Sequence, residues 1–247
     1  MITWTQGKIL ENCHHTDKLF SLKVDADVLS FNAGQFTRLG LDINCERVTR
    51  PYSYKNSPDE KVLEFYISTI PDGMLSNKLR QLAYGDSVWI RPKASGLFTL
   101  DTVPVSDDLW MLATGTGIAP FLSILKTKEV WDNYRHIILV YAVRRTEDIS
   151  FRNEIDLLQQ QYNDQLSTVL FVSREEVENT IAGRIPSAIS ARILEDRVSR
   201  SLGPSTSQVM LCGNPGMVKD TTNILLTRGF KLHRRREPGQ ITFEKYW

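Results

Sequence analysis

Leu109-Trp110-Met111-Leu112-Ala113 runs straight into Thr114-Gly115-Thr116-Gly117-Ile118-Ala119-Pro120, and this junction decides the fold of the second half of the chain. Five apolar residues in a row suit a strand buried on both faces, as in a parallel sheet. The glycines suit a close turn, and Pro120 suits a first helical turn, where its missing N–H costs nothing. A loop of this kind, placed between a strand and a helix, exposes free N–H groups at the positive end of a helix dipole and attracts phosphate. A tight turn with no ligand is the plainer reading of the glycines alone. The pattern is neither the Gly-x-Gly-x-x-Gly fingerprint nor a lysine-bearing Walker loop.

The same logic recurs downstream. Gln208 to Cys212 reads as a buried strand, and Cys212-Gly213-Asn214-Pro215-Gly216-Met217 leads into a helix from Pro215 to Arg228. Between the two loops, strands at His136–Ala142 and Ser167–Val172 alternate with helices at Ala119–Lys128 and Asn153–Tyr162. Alternating apolar strands and helices predict a parallel sheet covered on both faces, and ligands of such sheets bind at the carboxyl ends of the strands.

Upstream the texture differs. Lys18–Val24 and Val62–Ile70 alternate with period two, and Gln35–Leu41 and Ser87–Arg91 look similar. Gly34, Gly73, Gly85 and Gly96 separate these runs, and one helix is expected from Ser76 to Ala83. Many short strands with turn signals predict a small antiparallel barrel. The polar stretch Thr102–Asp108 reads as a linker, so the expected division is residues 1–101 and 105–247.

The 247 residues are 41% apolar and 24% charged, with a net charge of +1, which is a globular composition without the basic excess of a nucleic-acid binder. No apolar run is long enough to span a bilayer, and the first residues lack the pattern of a secretion signal, so a cytoplasmic location is expected. Cys13, Cys45 and Cys212 are far apart and form no Cys-x-x-Cys pair, so neither a metal site nor a disulfide framework is expected.

Arg50-Pro51-Tyr52-Ser53, followed by Gly115–Pro120, Cys212–Pro215 and the aromatic end Tyr246-Trp247, resembles in order and spacing the signatures of the bacterial ferredoxin (flavodoxin)–NADP reductases. The resemblance covers essentially the whole chain. It implies two domains: an N-terminal antiparallel β-barrel holding FAD, then an α/β domain with a five-stranded parallel sheet binding NADP. It also implies electron transfer between NADPH and ferredoxin or flavodoxin. Nothing in the sequence requires more than a monomer.

By the same resemblance, Arg50 pairs with the FAD pyrophosphate, Tyr52 packs on the isoalloxazine and Ser53 brings its hydroxyl near flavin N5. Tyr66 lines the flavin, Met74-Leu75-Ser76 offers N–H groups to phosphate, Thr116 meets the flavin from the second domain, and Tyr246 and Trp247 return across FAD. Ser76 also reads as a helix N-cap. On the NADP side, Val143-Arg144, Ser173-Arg174 and Arg184 surround the 2′-phosphate, and Asn214-Pro215-Gly216 and Asp220 complete the site. Cys212 stands beside the nicotinamide as a polarisable neighbour, not a nucleophile. The three arginines favour NADP, because the 2′-phosphate adds negative charge; Glu147, Asp148, Glu175 and Glu176 make the local charge mixed. Two alternatives stay open: a flavin reductase or oxygenase reductase component, and a non-catalytic nucleotide-binding sensor.

Overall fold

The computed structural model describes residues 3–246, so Trp247 and the role expected of it lie outside the described residues. The chain forms two compact units. One runs to Thr99 and takes in Ala119–Thr127; the other comprises Leu100–Ile118 and Lys128 onward.

The first unit contains six antiparallel strands: β1 (Thr5–His14), β2 (Leu19–Asp25), β3 (Phe36–Ile43), β4 (Glu46–Ser53), β5 (Leu63–Ser68) and β6 (Ser87–Ile90). Their order is β4-β3-β6-β1-β2-β5. The two end strands meet again, because the chain beyond β4 bridges Tyr54 to Phe65 and Lys55 N–H donates to Glu64 C=O at 2.8 Å. The sheet therefore closes as a barrel, which removes its open edges. Ile9, Phe20, Leu22, Leu39, Tyr54, Phe65 and Ile90 fill the interior. They come from alternate positions, as the period-two pattern requires.

The helix of this unit, α1 (Met74–Leu79), corrects two expectations. It starts at Met74, with Gly73 in the cap position and no side-chain cap bond, so Ser76 is not the N-cap. Ser76 lies inside the first turn, and its Oγ accepts the Ile70 N–H at 3.2 Å. The helix also ends four residues early. Asn12 Nδ2 donates to the carbonyls of Leu79, Arg80 and Leu82 at 3.3, 3.0 and 2.7 Å. A side chain from β1 thus satisfies the terminal carbonyls, and no local sequence signal reports that.

The second unit is built on β7 (Asp108–Thr114), β8 (His136–Val143), β9 (Leu166–Val172), β10 (Ile181–Ala182), β11 (Ser207–Gly213) and β12 (Ile241–Lys245). The order is β10-β9-β8-β7-β11-β12, and every pairing is parallel. The sheet has six strands where five were expected. Four of them match apolar runs in the sequence; β10 and β12 do not, β10 because its two residues are too short to carry a periodic pattern. The expected helix at Ala119–Lys128 splits into α2 (Ala119–Leu125) and α3 (Lys128–Asn133), with α2 belonging to the first unit by its contacts. It is followed by α4 (Arg152–Gln161), α5 (Ile185–Ser190), α6 (Ile193–Val198) and α7 (Pro215–Thr227). Trp110, Leu112, Val140, Phe171, Val209, Leu211 and Val218 anchor one continuous core. Among the described residues no helix is long and apolar enough to cross a membrane.

Candidate functional site

In the barrel, the Arg50–Ser53 motif forms the last half of β4, the strand at one end of the sheet order. That location admits Pro51, which has no N–H to donate to a ladder. Strand alternation then sorts the neighbours. Tyr54 faces the core, fully buried and stacked on Phe31 with ring centroids 3.9 Å apart. Ser53 and Lys55 therefore project to the other side. On β5, Phe65 faces the core, and Glu64 and Tyr66 project outward with them. Ser53 and Tyr66 are nonetheless buried.

Arg50 is exposed, and its Nη1 donates to the Thr49 carbonyl at 2.8 Å. Burial pushes the Tyr52 phenol up to about 12 against the pull of Arg50, so the ring is neutral at any working pH. Leu75 and Ser76 are buried, Met74 is 58% exposed, and the first turn of α1 contains no acid. A guanidinium, a neutral aromatic ring, a hydroxyl and a helix start free of carboxylates form a donor set that fits a flavin nucleotide with its pyrophosphate.

In the second unit the strand order reverses direction between β7 and β11. This is the switch point at which open α/β sheets bind ligands. The loops after these two strands lock together. A Cβ on Gly117 would lie 2.5 Å from the Cys212 carbonyl oxygen, and one on Gly213 would lie 2.2 Å from Thr114 Oγ1. Gly213 also has φ +129°, which side-chain-bearing residues rarely adopt. Both glycines are thus needed for backbone to meet backbone, whether or not phosphate binds.

The Gly213–Asn214 peptide is held from both sides. Its N–H donates to Thr114 Oγ1 at 2.8 Å, and its carbonyl accepts the Tyr246 N–H at 3.0 Å. Asn214 Oδ1 then caps α7, accepting from Gly216 and Met217 N–H at 2.9 and 3.2 Å, with Pro215 in the first turn. Thr116 is buried within a 3-10 turn spanning Gly115–Ile118. Asp220 is exposed on α7.

The arginines expected at the 2′-phosphate come together. Ser173 N–H donates to the Val143 carbonyl at 3.1 Å and Arg174 N–H to the Arg144 carbonyl at 3.0 Å, so the loops after β8 and β9 run side by side. Arg184 follows β10, which pairs with the end of β9. All three are exposed, and among the described residues none of their side chains has a hydrogen bond or ion pair. One of the nearby acids, Glu175, is committed elsewhere. Glu175 accepts from Thr146 N–H at 3.1 Å and Thr146 Oγ1 at 2.7 Å, and faces Arg145 at 4.0 Å. The Thr146 hydroxyl and N–H hold its carboxyl below the usual range. Three uncommitted guanidiniums at one end of one sheet fit a phosphomonoester.

Cys212 is fully buried, and its thiol is pushed well up by that burial and by Glu244, so it stays protonated. Glu244 is its partner across β11 and β12. Sequence reasoning passed over Glu244 and Thr114. The spacing of Glu244 from the aromatic terminus was visible, but its parallel register with Cys212 joins residues far apart in the chain.

Residues 8–97 match the oxidoreductase FAD-binding domain family, and residues 111–223 match the oxidoreductase NAD-binding domain family. The chain is 47% identical over 248 residues to a flavodoxin/ferredoxin–NADP reductase of Escherichia coli (strain K12), covering 100% of both chains. It is 43% identical to the reductase of that name from Buchnera aphidicola subsp. Baizongia pistaciae, again covering 100% of both. The chain belongs to the flavodoxin/ferredoxin–NADP reductase family. A solved reductase of this family, the ferredoxin NADP+ reductase from Neisseria gonorrhoeae with bound FAD and NADP, superimposes with a TM-score of 0.93 at 34% identity, covering 98% of each chain.

Proposed function

We propose that this protein takes hydride from NADPH onto bound FAD and passes the electrons to a ferredoxin or flavodoxin, acting as a monomer in the cytosol. The observation that carries the cofactor choice is the group of uncommitted guanidiniums at Arg144, Arg174 and Arg184, supported by membership of the reductase family. Bound FAD supplies the redox chemistry, accepting hydride and releasing electrons.

The chain's own residues bind and orient. Arg50 offers a fork of donors to pyrophosphate, as do the N–H groups of Met74-Leu75-Ser76. Tyr52, Tyr66 and Tyr246 provide aromatic surface. Ser53 and Thr116 each present a hydroxyl. Asn214-Pro215-Gly216 presents the start of α7 to the nucleotide, Val143 and Ser173 hold the arginine-bearing loops, and Asp220 meets the adenosine end. Cys212 stays a neutral thiol and packs as a polarisable wall.

The test uses purified holoprotein. It should be yellow, bleach rapidly with NADPH and poorly with NADH, and oxidise NADPH steadily when ferredoxin or flavodoxin is added. Equal bleaching by both nucleotides would reject the 2′-phosphate site. Turnover with free flavin but with neither carrier would make it a flavin reductase instead.

A further inference from the structure

Two residues beyond Ser53 the chain buries a lysine. Lys55 Nζ lies 2.9 Å from Glu64 Oε2, and the two side chains are only 4% and 12% exposed. Burying both charges is costly, and a pair of this kind is on balance weak support for stability. The backbone beside it is tied down. Asn56 Oδ1 accepts the Glu64 N–H at 2.9 Å, and Ser123 Oγ donates to the Asn56 carbonyl at 2.7 Å.

The pair stands among the flavin candidates. With Tyr54 and Phe65 turned into the core, strand alternation puts Ser53, Lys55, Glu64 and Tyr66 on one face of the barrel wall. Ser21 pairs with Tyr66 across β2 and β5. His15 Nε2 lies 3.1 Å from Ser21 Oγ, with its ring edge-on to Tyr66 at 5.6 Å between centroids. A hydroxyl and a phenol assigned to the flavin thus share their face with a buried cation and a buried anion.

We propose that Lys55 and Glu64 are an electrostatic part of the flavin site, and that the two charges act in opposite directions on how readily bound FAD is reduced. The proposal rests on the assignment of Ser53 and Tyr66 to the flavin. Taking up hydride adds negative charge to the bound cofactor. A buried ammonium favours that charge and a buried carboxylate opposes it, and in a site removed from water both act at longer range than on the surface. As long as the pair is intact the two influences largely offset each other. Removing either charge removes its own influence on the flavin, so the two removals have opposite signs. A purely structural role gives no such opposition.

The experiment measures the midpoint potential of enzyme-bound FAD by equilibration with a reference dye. Lys55→Met keeps the side chain's bulk and removes its charge; Glu64→Gln does the same for the acid. A unit charge acting over about 10 Å at an effective dielectric near 20 changes an equilibrium roughly tenfold or more. Poised at the wild-type midpoint, the oxidised-to-reduced ratio of FAD is expected to rise about tenfold in Lys55→Met and to fall about tenfold in Glu64→Gln. The double variant and Lys55→Arg should return close to wild type.

Shifts in the same direction for the two single variants, or no shift with FAD retained, overturn the proposal. Should Lys55→Met not fold, Glu64→Gln decides alone, because only a shift toward easier reduction supports the idea. A Ser53→Ala variant reduced by NADPH as fast as wild type removes the flavin assignment and this inference with it. A slowed Ser53→Ala variant, with potentials unmoved at Lys55 and Glu64, removes this inference only.

Discussion

In the barrel the candidates Arg50–Ser53 and Tyr66 are parts of strands, and Tyr54 and Phe65 beside them are core. In the parallel sheet Arg144, Ser173, Arg174 and Arg184 stand in loops past the strand ends. Ser53 and Tyr66 are buried, one residue away from Tyr54 and Phe65, which close the barrel. Arg144, Arg174 and Arg184 are exposed, and among the described residues their side chains make no hydrogen bond or ion pair. The difference follows from geometry. A side chain that faces a ligand from the barrel wall is packed by its strand neighbours, as Ser53 and Tyr66 are. A parallel sheet returns through helices, which leaves its strand ends free for loops that bind without supporting the core.

This contrast predicts where function and stability separate. The largest effect is expected in the barrel. Tyr66→Ala removes a side chain that is 3% exposed and should cost about 3 kcal/mol of unfolding free energy, with loss of FAD at the same time. Denaturant unfolding and flavin release measure the two together; a variant that loses FAD at unchanged stability breaks the contrast.

A smaller and cleaner effect belongs to the sheet. Arg174→Ala should weaken NADPH binding by roughly 1.5–3 kcal/mol, leave NADH almost unaffected, and leave the unfolding midpoint unchanged. Equal losses for both nucleotides would sink the 2′-phosphate assignment, and a large loss of stability would remove the contrast.

The smallest effect sharpens the barrel side through pH. Burial lowers the His15 imidazole below its ordinary 6.5, Glu64 opposes the shift, and Lys55 and His14 add to it. The folded protein then takes up this proton less readily than the unfolded chain. The stability tied to neutral His15 is fully present above 6.5 and is lost as pH falls below it. His15→Asn should flatten the unfolding midpoint on that acid side, and an unaltered pH profile would remove His15 from the account.

The sheet half was the more legible in sequence. Leu109–Ala113 and His136–Ala142 are apolar at every position that matters, and such runs report a two-sided burial directly. The barrel half was read as strands and turns, yet β1 and β4 went unassigned. Their residues alternate weakly, because Thr5–His14 and Glu46–Ser53 keep most of their side chains exposed or half-buried. The C-terminal strand β12 was likewise visible only as an apolar end. The early stop of α1 was hidden for a different reason, since Asn12 supplies its cap from across the fold.

What the sequence by itself determined was the division into an antiparallel and a parallel half, the order of the four signatures and the identity of most candidate residues. Each depends on spacing along the chain, which a single sequence displays. What only the tertiary structure decided were relations between distant segments. It joined Cys212 to Glu244, Asn214 to Thr114, the Val143-Arg144 loop to Ser173-Arg174, and Lys55 to Glu64. Strand register and loop closure set those pairings, and both are fixed by packing of the whole core rather than by any local propensity.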